Sequence, residues 1–501
     1  MPPATAATLP LPDPAPTKGL SAPQFTQLAK GGFGDGHNNF AHSMAWFKNR
    51  LYLGTTRSNM CMMRLQSAYE SMPFHIYPVD CPETLDDLYK IDRRSQIWCY
   101  DPADGSWEMV FQAPMIDGSD GAPVARDIGY RSMEVFTSPE TGEEALYVST
   151  WGPGRSPGGL LMRTTDGKTF EVISPWGVLD PPMSATRSLT TFQGRMHFAP
   201  TAQRGTTGGQ QNSASPQIVA SAVPEAGDWQ RVNPLGSGDE GNLSIFTLTP
   251  ANGNLYAGTL NVEGLQIWAT DGTPDPDDPA LYVWRKICDR GAGRGKLNQA
   301  VVSAVEFNGA LYVGTGIQGG GTDRVNGVGP APAEVLRVNA DDSVDVIVGA
   351  RDDEGRAPVS GLDAGFGNFF NGYVWTMDVH DGWLYVGTFD WSVTLRWAMM
   401  DGAPRQIRDA MELVGIEDVI AGQGGCELWR TADGENWMPV TRQGFGNPYN
   451  WGIRNILSTP IGLMVGTANV FGPRVAVPDG EGWAYEANPD GGLEVWLGAP
   501  G

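Results

Sequence analysis

Leu51-Tyr52-Leu53-Gly54-Thr55 is the stretch that decides the fold, because the chain repeats it. Leu146-Tyr147-Val148-Ser149-Thr150, Met196-His197-Phe198 and Leu255-Tyr256-Ala257-Gly258-Thr259 are copies. Others stand at 311–315, 384–388 and 463–467, seven in all. Their apolar, aromatic and β-branched residues mark each copy as a short strand. Ahead of each copy, across a turn that often contains Asn-Gly or Asp-Gly, lies another short strand, as at 43–47, 132–136, 188–192 and 303–307. The two together predict a hairpin. A third strand follows, as in Gln96-Ile97-Trp98, Gln266-Ile267-Trp268 and Glu427-Leu428-Trp429-Arg430. The fourth comes after Asp104-Gly105, Asp166-Gly167, Asp271-Gly272 or Asp433-Gly434. In such turns the Asp oxygens bond the backbone while Gly takes a positive φ.

Four antiparallel strands repeated in this way predict an all-β fold, a seven-bladed β-propeller with four antiparallel strands per blade. A sandwich or an open meander does not account for one strand order recurring so often. The ends extend the pattern: residues 25–34 align with 437–446, a fourth strand and the loop after it, while the last unit stops at its third strand. An N-terminal strand completing the last blade would close the ring and remove its exposed sheet edges. The expected organisation is a flexible Ala/Pro-rich tail at 1–22 and a single propeller domain at 23–501. Loop insertions fall at 58–95, 316–333, 390–425 and 470–492. The first of these carries a short predicted helix at 83–90 and is a candidate lid or dimer contact.

The segments Thr164-Thr165-Asp166-Gly167-Lys168-Thr169-Phe170 and Thr431-Ala432-Asp433-Gly434-Glu435-Asn436-Trp437 resemble the Asp-box hairpins of sialidase-type propellers, with one residue fewer between Asp and Gly. That resemblance covers a small part of each blade and implies the fold, since such boxes are structural turns away from the catalytic face. The arginine triad and early Arg-Ile-Pro segment of sialidases have no counterpart here, and neither does the Gly-His and Trp-Asp signature of WD40 repeats.

With 66 Gly and 38 Pro the composition is that of a turn-rich folded chain. A net charge of -23 and a pI near 4.5 argue against nucleic acid and anionic lipid as partners. No apolar run is long enough for a membrane-spanning helix. The first sixteen residues lack the basic start and apolar core of a secretory signal. Cys61, Cys81, Cys99, Cys288 and Cys426 are odd in number and without a CxxC spacing, which argues against a disulfide framework or a zinc ribbon. The expectation is a soluble, cytoplasmic protein.

Counting back nine positions from each second strand gives His42, Arg187, Val302, Trp375 and Arg454. Arg131 aligns through its Arg-Ser match to His42-Ser43, and a residue near Ile245 completes the set. In a propeller these positions ring the central channel. Three arginines and a histidine converging inside so acidic a chain require a counter-charge. Internal carboxylates such as Asp127, Asp239 or Glu240 would supply it, or else a bound carboxylate, sulfate or phosphate. Arg57 points to the same rim. His37 and His42 lie on one loop, and its near copy at 446–454 contributes Tyr449 and Asn450.

On this reading His42 or His37 is the general base and Tyr130 or Tyr449 the acid. Arg57, Arg131, Arg187, Arg454, Trp375 and Asn450 hold the ligand. No residues are assigned to a metal: His37, His42 and His75 have no acidic partner at a suitable spacing, and no cofactor is required. Met60-Cys61-Met62-Met63 is expected as the apolar face of an inserted helix, with 275–278 and 352–354 as solvated acidic turns. The expected function is binding of an anionic small molecule or sugar-like ligand at the channel, with lyase or hydrolase chemistry. A non-catalytic ligand- or protein-binding scaffold is the alternative, and a metal-dependent oxidase a third.

Overall fold

A computed structural model describes residues 18–66, 73–180, 182–203, 216–351, 355–400 and 405–500. The chain is mostly β and propeller-like in organisation. Asn38–Phe47 pairs with Arg50–Arg57, that strand with Gln96–Asp101, and that with Ser106–Gln112, all antiparallel. The same four-strand order starts again at Gly129–Thr137, Met183–Phe192, Asn242–Ala251, Ala300–Phe307 and Asn371–His380. A further group takes Gly452–Thr459, Gly462–Ala468 and Val495–Gly498 from the C-terminal end and Phe25–Ala29 from the N-terminal end, with Phe25 opposite Gly498. Single bridges join neighbouring groups, Thr56 to Gly129, Leu260 to Ala300, Gly316 to Tyr373, Phe389 to Gly452 and Ala468 to Phe40.

The Gly-Thr of the repeated strand has a physical reason. A Cβ added at Gly54, Gly258, Gly314, Gly387 or Gly466 would strike Tyr130, Val301, Val374, Ile453 or Ala41, each on the inner strand of the adjoining group. The glycine therefore lets two sheets pack at contact distance. Thr55, Thr150, Thr259, Thr315, Thr388 and Thr467 each accept at Oγ1 a backbone N–H where the third strand begins, over 2.8–3.0 Å. Each threonine thus pins the third strand to the second.

The outer turns are equally local in their logic. Asp166 Oδ1 accepts from the N–H groups of Lys168 and Thr169 at 2.7 Å, and Asp433 Oδ1 from Glu435 and Asn436 at 2.9 and 2.8 Å. Backbone donors hold the Asp166 carboxyl well below the usual range. Asp433, despite partial burial that opposes the shift, sits at about 2 for the same reason.

Insertions 58–95, 390–425 and 470–492 fold together as one cap rather than as separate loops. Phe74 bridges Ala398, Val79 bridges Val475, and Trp397 Nε1 donates to the Ala476 carbonyl at 2.9 Å. Met60, Val79, Trp391, Trp397 and Phe471 share its core. The helix Asn59–Gln66 buries Met60 and Cys61, as expected for an apolar face, and Leu85–Lys90 is the short helix anticipated within 83–90.

Several expectations need correction. Cys61 and Cys81 form a disulfide, with Cα atoms 5.2 Å apart. Counting cysteines missed it because the pair staples one insertion rather than framing the whole fold. Disulfides are commonest in oxidising compartments, so the bond removes the cysteine argument for the cytoplasm. Chain packing also begins before residue 23: Leu20 is buried, and its N–H donates to Tyr385 Oη at 2.8 Å. The acidic stretch 352–354 lies outside the described residues. No helix among the described residues is long and apolar enough to cross a membrane.

Candidate functional site

Each inner strand carries the same irregularity. Its pairing with the second strand slips by one residue between Ala41 and Ser43, Tyr130 and Ser132, Thr186 and Ser188, Ile245 and Thr247, Val301 and Ser303, Val374 and Thr376, and Ile453 and Asn455. A β-bulge leaves one residue out of the ladder and re-aims its side chain. The residues left out are His42, Arg131, Arg187, Phe246, Val302, Trp375 and Arg454. Sequence counting reached six of them and stopped one short at the fourth group, where Ile245 is buried between sheets and Phe246 takes the bulge. A usable signal was present: the next residue is always small and polar, Ser43, Ser132, Ser188, Thr247, Ser303, Thr376 or Asn455.

Those polar residues stitch inner strands together. Ser43 Oγ donates to the Tyr130 carbonyl at 2.7 Å and Ser303 Oγ to that of Val374 at 2.9 Å. Asn455 Nδ2 donates to the His42 carbonyl at 2.8 Å, and Ser132 Oγ accepts from Leu189 N–H at 3.0 Å. The bulged side chains are held in one cluster by ring and cation contacts. The Arg454 guanidinium lies 5.5 Å from the Trp375 ring centre, Arg187 3.4 Å from Phe246, and Arg131 5.0 Å from Trp151. Phe40 stands edge-on to both His42 and Trp375, and Phe246 packs with Val302, Tyr373 and Trp375. Arg454, Trp375 and Tyr373 keep some accessible surface although protein surrounds the arginine and the tyrosine on all sides.

The electrostatics follow from this crowding. Burial first, then Arg454, Arg131 and Arg187, hold His42 well below the usual imidazole range, so it is neutral at pH 7. Its Nδ1 is hydrogen-bonded to Thr56 Oγ1. Burial and the nearby Arg454 lower Arg131 to about 9, and burial lowers Arg454 to about 10, so both remain cations at pH 7. The three acids considered as counter-charges are engaged elsewhere. Asp127 accepts from Arg126 at 2.6 and 2.8 Å, Asp239 accepts from Gln266 Nε2 and Gly241 N–H, and Glu240 is exposed.

The remaining predicted residues lie apart from this cluster. Arg57 is buried in a network of its own, donating to Asp35 at 2.7 Å, Asn38 Oδ1 at 2.8 Å and the Asp92 carbonyl at 3.2 Å. His37 joins that network by donating its N–H to Asp35 Oδ1 at 3.0 Å while its Nδ1 is bonded to Ser58 Oγ at 3.0 Å, with burial lowering its pKa against the opposing pull of Asp35. Tyr130 sits in the core between two sheets, its hydroxyl 3.5 Å from Asp127. Tyr449 lies in the cap beneath the Arg396 guanidinium. Asn450 is a fastener, donating to the Gly444 carbonyl at 2.9 Å and to Glu494 at 2.8 Å. Asn38, Asn242 and Asn298 make the equivalent pair of bonds in other groups. No three potential metal ligands come together among the described residues.

No protein-family model and no curated protein sequence matches the chain. Among solved structures it is similar to puromycin hydrolase, at 11% identity and a TM-score of 0.44, over 90% of this chain and 53% of that one. It is similar to the β-propeller domain of the Trilobed protease from Pyrococcus furiosus, at 8% identity and a TM-score of 0.38, over 91% of this chain and 98% of that one. A third is the native arabinanase of Bacillus subtilis, at 14% identity and a TM-score of 0.30, over 51% of this chain and 90% of that one. The chain spans about half the length of several of the peptidases it matches.

Proposed function

We propose that the four-strand groups are the seven blades of a closed ring, the last completed by Phe25–Ala29, and that the axis of this ring binds a small anionic or sugar-like ligand. In this reading His42 moves a proton on the bound ligand in lyase or hydrolase chemistry. The observation that carries it is the placement of Arg454, His42, Arg131 and Arg187 at equivalent bulges, close enough for the three cations to depress the one imidazole. Guanidinium groups suit a carboxylate, sulfate or phosphate because they present paired donors in one plane. Thr56 at Nδ1 fixes the ring, leaving Nε2 as the atom to accept a substrate proton. A neutral buried histidine is competent for that role, whereas a protonated one is not.

The ligand is sought by thermal-shift screening of phosphate, sulfate, simple carboxylates and acidic sugars, with titration calorimetry on those that raise the melting temperature. The double variant Arg187→Ala with Arg454→Ala is expected to weaken binding at least a hundredfold while the circular dichroism spectrum stays native. Unchanged affinity in that variant sinks the axial site. With a ligand in hand, His42→Asn separates the two readings of function. Retained binding with lost turnover supports an enzyme. Binding without turnover in the unaltered protein leaves a ligand-binding scaffold.

A further inference from the structure

The order of the bulged residues around the inner strands is not random. Arg454, His42, Arg131 and Arg187 stand on four consecutive strands, counting Gly452–Thr459 as the neighbour of Asn38–Phe47 through the Asn455 and Ala468 contacts. Phe246, Val302 and Trp375 stand on the other three, Asn242–Ala251, Ala300–Phe307 and Asn371–His380. Polar and apolar positions are thus sorted into two arcs. At each seam a cation meets an aromatic face, Arg187 on Phe246 and Arg454 on Trp375.

We propose, resting on the axial site proposed above, that its ligand is a carboxylate or comparable anion attached to a flat apolar ring, the anion held by the basic arc and the ring by Phe246, Val302 and Trp375. A bare inorganic anion would leave the accessible part of Trp375, the least buried member of the apolar arc, facing water. A sugar acid would bring hydroxyl groups to Phe246 and Val302, side chains that offer no hydrogen bond, and each stranded hydroxyl is costly. Tyr373 packs behind the apolar arc, its hydroxyl oxygen accepting from the Gly319 and Gly320 N–H groups at 2.8 Å. The cations at the seams also favour a π face beside the charge, because a guanidinium attracts the electron-rich side of a ring.

Titration calorimetry with acetate, benzoate, cinnamate, glucuronate and the neutral benzamide tests this. Benzoate and cinnamate are expected to bind about ten- to a hundredfold tighter than acetate, the gain of burying a phenyl ring. Glucuronate should bind no better than acetate, and benzamide much more weakly than benzoate. Val302→Asn should bring the ratio of benzoate to acetate affinity close to one, with Val302→Thr as the near-isosteric control for folding. Equal affinity for acetate and benzoate, or tighter binding of glucuronate than of benzoate, overturns the two-arc inference while the anion pocket stands. Binding of benzamide as tight as that of benzoate overturns the role of the basic arc. Failure of every carboxylate to bind overturns pocket and inference together.

Discussion

Two arginine and histidine pairs contribute to this molecule, and they have opposite surroundings. Arg57 and His37 lie where the first hairpin meets a loop, and every donor of Arg57 reaches an acceptor: Asp35, Asn38 and the Asp92 carbonyl. Arg454 and His42 sit at bulges on the inner strands, where the arginine faces an indole and the histidine faces three guanidinium groups. Residue type is the same in both places. What differs is whether the backbone leaves the side chain in a regular position, beside turns rich in acceptors, or turns it out of the ladder toward the other bulged side chains. The first arrangement holds a fold together, and the second is the one that the proposed function assigns to a ligand.

The largest expected difference comes from replacing each arginine with methionine. Arg57→Met strands Asn38 Oδ1 and the Asp92 carbonyl and leaves Asp35 without its cation, so stability should fall by about 3 kcal/mol, the low end for a buried pair because Asp35 is half exposed. Arg454→Met removes a partly accessible cation that lies over Trp375, and stability should stay within about 1 kcal/mol of the unaltered protein. Urea denaturation of both variants reads the contrast. Similar losses in the two would mean that Arg454 is structural, and the distinction between the regions would collapse.

The repeated framework itself offers a middle-sized test. Thr467 Oγ1 accepts from Glu494 N–H at 2.8 Å and is also 3.2 Å from Asn450 Oδ1. Thr467→Val keeps the shape and deletes both bonds in a fully buried place, so about 2 kcal/mol should be lost. The strand it releases is Val495–Gly498, the one that pairs with Phe25–Ala29. Hydrogen exchange should therefore quicken on Phe25–Ala29 as well as on Val495–Gly498. Quickening on one strand alone would argue that the two ends do not act as a unit.

How much of this was legible beforehand follows from the range of the forces involved. The Leu-Tyr-x-Gly-Thr strand, the Asp turns and the pairing of Phe25 with the last strand rest on local periodicity and on contacts repeated identically in each group, so a single chain displays them. His42, Arg187, Val302, Trp375 and Arg454 are reachable because the bulge keeps its spacing from the second strand, and Arg131 because Arg131-Ser132 matches His42-Ser43. Arg57 is expected at the site because it lies just after the repeated second strand, and Asn450 and Tyr449 because their loop is a near copy of the one that carries His42. Nothing local distinguishes an asparagine that fastens Gly444 to Glu494 from one that faces a channel. The cap was hidden for a different reason. Phe74 meets Ala398 and Val79 meets Val475 across several hundred residues, and such pairings leave no periodic trace.

The smallest effect is also the most specific, because it follows single imidazoles. Burial lowers the pKa of both His37 and His42, but Asp35 opposes the shift at His37, whereas Arg454, Arg131 and Arg187 add to it at His42. A base whose folded pKa lies below its unfolded value takes up its proton first in the unfolded state. Its contribution to stability is therefore full above pH 6.5 and is lost as pH falls below that value toward the folded pKa. NMR titration of the ring protons should find His42 the more acidic of the two and still neutral where His37 has begun to protonate. Arg454→Met removes one repelling cation and should move the His42 midpoint upward while leaving that of His37 in place. A bound anion should do the same, so that affinity rises as pH falls through the window between the free and bound midpoints, with proton uptake visible in calorimetry across buffers of different ionisation enthalpy. A His42 midpoint indifferent to Arg454→Met would show that the imidazole does not feel the guanidinium, and the axial cluster would then consist of neighbours in sequence pattern only.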